Sequence, residues 1–180
     1  MNASVTLLPP TLTIGDMALR WVTPNDFPFL RELYRDLRAP ELALTGWPQP
    51  MKNAFCDSQF DMQDRHYRMY YPDAVFYLIE RAGVPVGRLY LSNTPQRLDL
   101  VEVSLTSQQR GNGRGAALLQ WMTECADATQ RPMVLHVEPA NPARRLYERF
   151  GFAVQQSLED AQEMRLTMFR PAQARPQQGT

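Results

Sequence analysis

The stretch Gln108–Leu119, QQRGNGRGAALL, constrains the fold of this chain more than any other. Its three glycines alternate with Asn112 and Arg114 directly before a run of strong helix formers. Glycine at every second position suits neither the interior of a helix nor that of a strand, because each glycine loses much backbone entropy on folding. A permissive loop that leads straight into a helix lets an anion approach backbone N–H groups at the positive end of that helix. The stretch therefore predicts a loop and a helix that together bind an anion.

The charge balance restricts what that anion is. Lysine and arginine together number 19, as do aspartate and glutamate, so the formal net charge is zero. Proteins that bind bulk nucleic acid or anionic membranes usually carry a large basic excess. The sequence also shows no apolar run long enough to span a membrane and no basic leader before an apolar stretch. We therefore expect a cytoplasmic protein with no nucleic-acid and no membrane partner.

Metal chemistry has few ligands to draw on. Cys56 and Cys125 lie far apart and form no CxxC pair, and the only histidines are His66 and His136. Structural metal sites need clustered thiolates or imidazoles. The sequence therefore predicts no metal site and free thiols in a reducing compartment.

Hydrophobic patterning predicts the element order β-α-α-β-β-β-α-β-α-β-β. This order is typical of a single α/β (α+β) domain, here residues 17–170, with a mixed, mostly antiparallel central sheet of about six to seven strands flanked by helices. Residues 1–16 show no clear period and are expected to form an N-terminal tail. Residues 171–180, polar and rich in proline and glutamine, are expected to form a disordered C-terminal tail.

Three interpretations of the glycine loop compete at this point: an ordinary loop, a dinucleotide-binding turn, and a pyrophosphate-binding cradle of another kind. A Walker loop is excluded because no Gly-Lys-Ser/Thr follows the glycines. Gly111, Gly113 and Ala116 satisfy the dinucleotide fingerprint G-x-G-x-x-G/A. That fingerprint begins directly at the end of a strand, however, whereas TSQQR intervenes after Leu105. Glu138, the candidate ribose-binding acid, also lies later than the fingerprint requires.

A known family accounts for the loop together with its surroundings. The run Arg110-x-x-Gly113-x-Gly115 resembles the R/Q-x-x-G-x-G/A motif of the GNAT superfamily of acyl-CoA-dependent N-acetyltransferases. Downstream, the expected strand MVLHVE is followed by NPARRLYERFGF, which is similar to the second signature of that family. The two signatures stand in the family's order, and the resemblance covers roughly residues 17–170. One departure is that Asn141 and Tyr147 lie one residue closer together than is usual in the family.

The resemblance implies acetyl-CoA as acyl donor and no metal. Backbone groups at the end of the strand before the loop would hold the pantetheine arm, here those of Leu105, Thr106 and Ser107. The loop and the helix start would hold the pyrophosphate through Arg110, Gly111, Asn112, Gly113, Arg114, Gly115 and Ala116. Asn141 matches the asparagine that contacts the CoA arm, although the shorter spacing to Tyr147 places that contact in question.

Tyr147 matches the general acid of the family. A phenol with a pKa of about 10 can protonate a departing thiolate, whose own reference pKa is about 8.5, if the site holds the two close together. The alternative is an ordinary core tyrosine, because Tyr147 shares a helical stripe with Ala143, Leu146 and Phe150.

Glu102 is the candidate general base. It lies between Val101 and Val103 in an expected strand, and alternation places it on one strand face with Leu98, Leu100 and Ser104. A carboxylate shielded from water on a strand face can accept a proton from an amine. Two alternatives stay open: a structural pair with an arginine, and proton transfer through water without any single base.

The acceptor side is the least defined. His66, Tyr67 and Tyr70 lie in an aromatic-rich segment that we expect to line a substrate pocket, and packing of a helix is the alternative for each of them. The resulting hypothesis is an N-acetyltransferase that transfers an acetyl group to a primary amine of a small molecule, peptide or protein by direct attack in a ternary complex. A non-catalytic acyl-CoA-binding regulatory module and a dinucleotide-binding enzyme are the rivals, and a homodimer is left open.

Overall fold

The computed structural model describes residues 8–155 and 165–174. The strands are β1 (Thr11–Ile14), β2 (Met17–Trp21), β3 (Ala74–Arg81), β4 (Val84–Asn93), β5 (Leu98–Leu105), β6 (Met133–Val137), β7 (Ala153–Gln155) and β8 (Leu166–Arg170). The α-helices of the described residues are α1 (Phe27–Leu42), α2 (Gln49–Tyr70), α3 (Arg114–Ala128) and α4 (Arg144–Arg149).

The strands form one open, mixed sheet in the order β1-β2-β3-β4-β5-β6-β8-β7. β5 and β6 are parallel, whereas β1 with β2, β2 with β3, β6 with β8 and β7 with β8 are antiparallel. The predicted α/β fold class is confirmed. Between β3 and β4, Ala82 and Gly83 both adopt left-handed conformations, with φ of 48° and 76°, as a two-residue hairpin turn requires.

Within the described residues the sheet has eight strands rather than the predicted six to seven. The additional strand, β1, lies within residues 1–16, which the sequence predicted to be a tail. Its four residues pair with β2 from Thr11↔Arg20 to Ile14↔Met17, around a turn in which Gly15 has φ of 59°. A strand this short shows too few alternations for a periodic pattern, so the prediction missed it. Parts of the two last predicted strands and of the C-terminal tail lie outside the described residues.

The chain forms two compact units of contacts. Among the described residues, the first unit comprises 91–101, 113–155 and 165–174 with Leu8, and the second comprises 9–90 and 102–112. In the first unit, α3 buries Leu118, Leu119 and Met122. Arg170 of β8 forms a two-pronged ion pair with Asp127, at 2.7 and 2.8 Å. This hydrogen-bonded pair lowers the pKa of Asp127.

The second unit is organised by α1 and α2. Their apolar faces meet in a buried cluster that includes Leu30, Tyr34, Leu42, Cys56, Phe60 and Leu78. Two ion pairs tie the helices together, Arg31 with Asp61 at 2.8 Å and Arg35 with Asp57 at 2.6 Å. The helix pair therefore fixes the side chains that α2 directs towards the sheet. Among the described residues, no helix combines the length and the apolarity needed to cross a membrane.

Candidate active site

The glycine loop contains two residues in the left-handed conformation before α3 begins. After β5 the chain makes a 3-10 turn, Ser107–Gln109. Gly111 and Gly113 then both have φ of 75°, a left-handed conformation that strains any residue with a Cβ. Gly115 has no such conformation; a Cβ added there would lie 3.6 Å from Leu146 Cδ2, an ordinary contact. Two of the three glycines are thus required by the backbone path itself.

The start of α3 presents backbone donors. Gly113 caps the helix, and the first helical hydrogen bond runs from the N–H of Ala117 to the Gly113 carbonyl at 3.0 Å. The N–H groups of Gly115 and Ala116 come before that bond and so have no acceptor within the helix. We call residues Gly113–Ala116 the cradle. Its donors and the positive end of the helix dipole suit a phosphate group.

Asn141 lies in the turn that leads into α4. Its side-chain oxygen accepts the N–H of Ala143 at 2.9 Å, and its backbone carbonyl accepts the N–H of Arg144 at 3.1 Å. The amide oxygen is therefore used locally, and the side-chain NH₂ is the group left to meet a ligand. A cavity of about 620 Å³ opens here, lined by Pro139, Ala140, Asn141, Pro142, Arg144, Arg145 and Glu148.

Tyr147 is buried on α4. Its ring stands edge-on to Phe152 with centroids 6.1 Å apart, and its carbonyl accepts the N–H of Phe152 at 3.2 Å. Gly151, with φ of 88°, turns the chain between them. Tyr147 is thus held rigidly, as both a catalytic acid and a core tyrosine would be.

The strand end expected to hold the pantetheine arm is already well bonded. The N–H of Thr106 donates to Val86 at 2.9 Å, and the carbonyl of Leu105 accepts Arg110 Nε at 2.9 Å. Ser107 donates both its N–H and its hydroxyl to Asp36 of α1, at 2.8 and 2.9 Å. Sequence analysis missed Asp36, which lies 71 residues from Ser107 and carries no local signal.

β5 approaches β4 closely and pairs with β6 only at its start. The β5–β6 register runs from Leu98↔Met133 to Leu100↔Leu135, and β5 then continues to Leu105. A Cβ added at Gly87 of β4 would lie 2.4 Å from the Ser104 carbonyl oxygen. Only glycine permits this approach of the two backbones.

Glu102 stands among side chains from three elements. Its Oε2 accepts the Tyr67 hydroxyl at 2.9 Å, and its Oε1 accepts the Ser104 hydroxyl. Arg88 Nη2 lies 3.6 Å from Oε1 and donates to Gln63 Oε1 at 2.9 Å. We call these five residues the carboxylate cluster. The side chain of Arg88 is 2% exposed and that of Glu102 is 19% exposed, so solvent reaches the carboxylate but not its cationic partner.

The cluster contains the structural arginine pair that the sequence left open for Glu102. The Arg88 guanidinium also lies 5.2 Å from the centre of the Tyr90 ring, and burial raises the pKa of the Tyr90 phenol. Buried charges are retained when they are paired and hydrogen-bonded. Arg88 has the Glu102 carboxylate as its ion-pair partner and Gln63 as a hydrogen-bond acceptor, while its Nε has no hydrogen-bond partner among the described residues. This pairing orients Glu102 and leaves its partly exposed edge available to a proton.

The three expected acceptor residues separate into two groups. Tyr67 is buried, and its hydroxyl donates a hydrogen bond to Glu102. His66 and Tyr70 are exposed on α2, with ring centroids 4.4 Å apart. On the helix after the cradle, burial raises the pKa of the Cys125 thiol, which disfavours the thiolate that a nucleophile needs. No three histidine, cysteine, aspartate or glutamate side chains converge as a metal site within residues 8–155 and 165–174.

The chain matches a known family model and several solved structures. The model of the acetyltransferase (GNAT) family matches residues 30–152. A search of the curated proteins finds no match. Among solved structures, PaiA N-acetyltransferase from Thermoplasma acidophilum in complex with coenzyme A is 13% identical, with a TM-score of 0.63 over 87% of this chain and 99% of that one.

Two further solved structures share the fold. An acetyltransferase from Thermus thermophilus is 20% identical, with a TM-score of 0.62 over 89% of this chain and 99% of that one. RimL, a ribosomal L7/L12 alpha-N-protein acetyltransferase in complex with coenzyme A, is 16% identical, with a TM-score of 0.62 over 90% and 98% of the two chains. The family model spans both signatures and decides against a dinucleotide-binding enzyme. The chain belongs to the GNAT family of acetyltransferases.

Proposed function

We propose that this chain is an acetyl-CoA-dependent N-acetyltransferase that acetylates a primary amine of a small molecule, peptide or protein in a ternary complex. The observation that carries the proposal is the cradle: Gly111 and Gly113 are left-handed directly before α3, and the N–H groups of Gly115 and Ala116 have no acceptor within the helix. The family match supports acetyl transfer, and two of the neighbouring folds, PaiA and RimL, are complexes with coenzyme A.

The donor is assigned to the cradle and to the α4 turn. Gly111–Ala116 bind the pyrophosphate through their N–H groups, Arg110 holds the entrance of the loop through Leu105 and Asp36, and Asn141 contacts the CoA arm through its side-chain NH₂. At the strand end, Leu105 is assigned to contact the pantetheine arm through its N–H. Thr106 and Ser107 instead hold the strand end in place through their hydrogen bonds to Val86 and Asp36. Acetyl-CoA supplies an activated thioester, so a positioned amine needs no covalent enzyme intermediate.

Glu102 is assigned as the proton acceptor. An alkyl amine has a pKa of about 10.4, so it enters the site largely as an ammonium ion and must lose a proton before it attacks. Glu102 Oε2, which accepts the hydrogen bond from Tyr67, takes that proton directly or through one water molecule. Arg88 and Ser104 hold Oε1 and thereby fix the plane of the carboxylate.

Tyr147 is assigned as the proton donor to the departing thiolate. Its burial against Phe152 limits the orientations of the phenol, which favours a defined donor geometry. His66 and Tyr70, the exposed aromatic pair on α2, are assigned to contacts with the acceptor. Both side chains are accessible to an incoming molecule, unlike the buried Tyr67.

Two measurements test this function. Acetyl-CoA and CoA should each raise the melting temperature of the protein in a thermal-shift assay, whereas NAD and NADP should not. A panel of small amines and peptide N-termini, assayed for release of free CoA thiol, should then identify acceptors. Stabilisation by NAD(P) alone would refute the proposal. Tight CoA binding with no transfer across a broad panel would instead favour a non-catalytic acyl-CoA-binding module.

A further inference from the structure

Asp36 connects α1 to the beginning of the glycine loop. Its Oδ2 accepts the Ser107 N–H at 2.8 Å, and its Oδ1 accepts the Ser107 hydroxyl at 2.9 Å. Arg110 Nη2 also donates to Oδ2, at 3.2 Å. One carboxylate thus makes three hydrogen bonds to two loop residues. The neighbouring α1 residues Arg31 and Arg35 pair instead with α2.

The hydrogen bond from the Ser107 N–H to Asp36 takes the place of an N-cap for the 3-10 turn. Ser107 is the first residue of the 3-10 turn, and the preceding residue, Thr106, makes no side-chain hydrogen bond to cap it. The first N–H groups of a helical turn need an acceptor from outside the turn. Asp36 supplies that acceptor from another helix. The geometry of the loop entrance therefore depends on a residue that is remote in sequence.

Arg110 is held at two places. Its Nε donates to the Leu105 carbonyl at 2.9 Å, and its Nη2 pairs with Asp36. The guanidinium thus bridges the end of β5 and α1. Such a bridge ties the loop entrance to both elements, and a guanidinium assigned to phosphate would have to leave these partners. The first residue of the motif is committed to the fold of the loop.

We propose that Asp36 is a positioning residue for coenzyme A binding, which acts by fixing Ser107 and Arg110 and does not touch the coenzyme. The inference rests on the proposed function, because it presumes that the cradle binds CoA. A loop already held in its binding conformation loses less entropy when the ligand arrives. Removal of the Asp36 charge should therefore weaken CoA binding without changing the chemical step.

The opposite role makes the opposite prediction. If Asp36 merely sequestered Arg110 from the pyrophosphate, its removal would release a cation and tighten CoA binding. The direction of the change in Kd therefore separates positioning from sequestration. A purely structural role would lower the melting temperature and leave the CoA Kd of the folded protein unchanged.

The experiment compares Asp36→Asn with Asp57→Asn by isothermal titration calorimetry with CoA and by steady-state kinetics. Asp57 is a matched control because its ion pair with Arg35 has a similar exposure and joins α1 to α2 away from the loop. Asp36→Asn should raise the CoA Kd about tenfold, the loss of one charge-assisted contact. The KM for acetyl-CoA should rise likewise, with kcat and the KM for the acceptor unchanged. Asp57→Asn should leave all four quantities at the wild-type values.

Ser107→Ala provides a second variant if Asp36→Asn folds poorly. It keeps the Asp36–Arg110 pair and removes one hydroxyl, so its CoA Kd should rise about threefold. An unchanged or lower CoA Kd in these variants would overturn the inference while wild-type binding upholds the proposed function. Failure of the wild-type protein to bind CoA would overturn both.

Discussion

The cradle and the carboxylate cluster are built by opposite means. The cradle consists of backbone N–H groups from four consecutive residues, Gly113–Ala116, opened by left-handed glycines. The carboxylate cluster consists of side chains from α2, β4 and β5, with Arg88 almost fully buried beneath Glu102. A site built from main-chain groups depends on the local backbone conformation, whereas a site built from side chains depends on the whole fold to bring distant residues together.

This difference determines how each region should fail. Substitution in the cradle strains the backbone and should weaken ligand binding, because the donors move. Substitution in the carboxylate cluster leaves buried partners unsatisfied or removes the proposed proton acceptor, and should slow the reaction. If both regions responded alike, the division of labour between donor binding and proton transfer would be wrong.

The largest effect is expected for Glu102→Gln. The amide keeps the size of the side chain but cannot accept the proton, so kcat should fall about a hundredfold or more. The CoA Kd from calorimetry should stay within about twofold of the wild-type value, a change below the worth of one hydrogen bond. Glu124→Gln, on the exposed face of α3, is the control and should be neutral. A normal kcat in Glu102→Gln would remove this carboxylate from the mechanism.

Tyr147→Phe should have the next largest effect. Loss of the phenolic proton should lower kcat by roughly ten- to a hundredfold, with little change in CoA affinity. Tyr34→Phe is a matched control, because Tyr34 is also buried edge-on to a phenylalanine, Phe60, at 6.1 Å. Stopped-flow or steady-state thiol release measures the rates. Equal turnover in the two variants would identify Tyr147 as a packing residue.

Gly113→Ala tests the cradle. A residue with a Cβ loses about 1–2 kcal/mol in the left-handed conformation, so CoA binding should weaken about tenfold as the loop shifts. Gly46→Ala is the control, since Gly46 has φ of 69° and equally open surroundings. Both variants should lose comparable thermal stability, and only Gly113→Ala should lose CoA affinity in calorimetry. Equal CoA Kd values would show that the cradle does not hold the coenzyme.

The smallest effect is expected for Tyr67→Phe. It removes one hydrogen bond from Glu102, worth about 1 kcal/mol, so kcat/KM should fall about fivefold. Because Tyr67 acts through Glu102, the double variant Tyr67→Phe/Glu102→Gln should be no slower than Glu102→Gln alone. Additive losses in this cycle would mean that Tyr67 acts independently of Glu102.

The two regions also differ in how far sequence could predict them. The cradle lies within one short stretch, and its glycines reveal the backbone conformation directly. The valines that flank Glu102 indicated a shielded carboxylate, but its partner Arg88 is one of many arginines and has no distinguishing local pattern. Asp36 depends on a contact 71 residues along the chain. Strand β1 was missed because four residues are too few to show alternation.

The close approach of β4 and β5 at Gly87 fixes how far apart the strands of the carboxylate cluster lie. A Cβ added there would lie 2.4 Å from the Ser104 carbonyl oxygen, which is closer than Cβ atoms approach other heavy atoms in proteins. β5 would have to move away from β4, and it carries Ser104 and Glu102 with it while Arg88 stays on β4. The absence of a side chain at Gly87 thus sets the distance between the Glu102 carboxylate and Arg88. Any redesign of the carboxylate cluster therefore has to keep glycine at position 87.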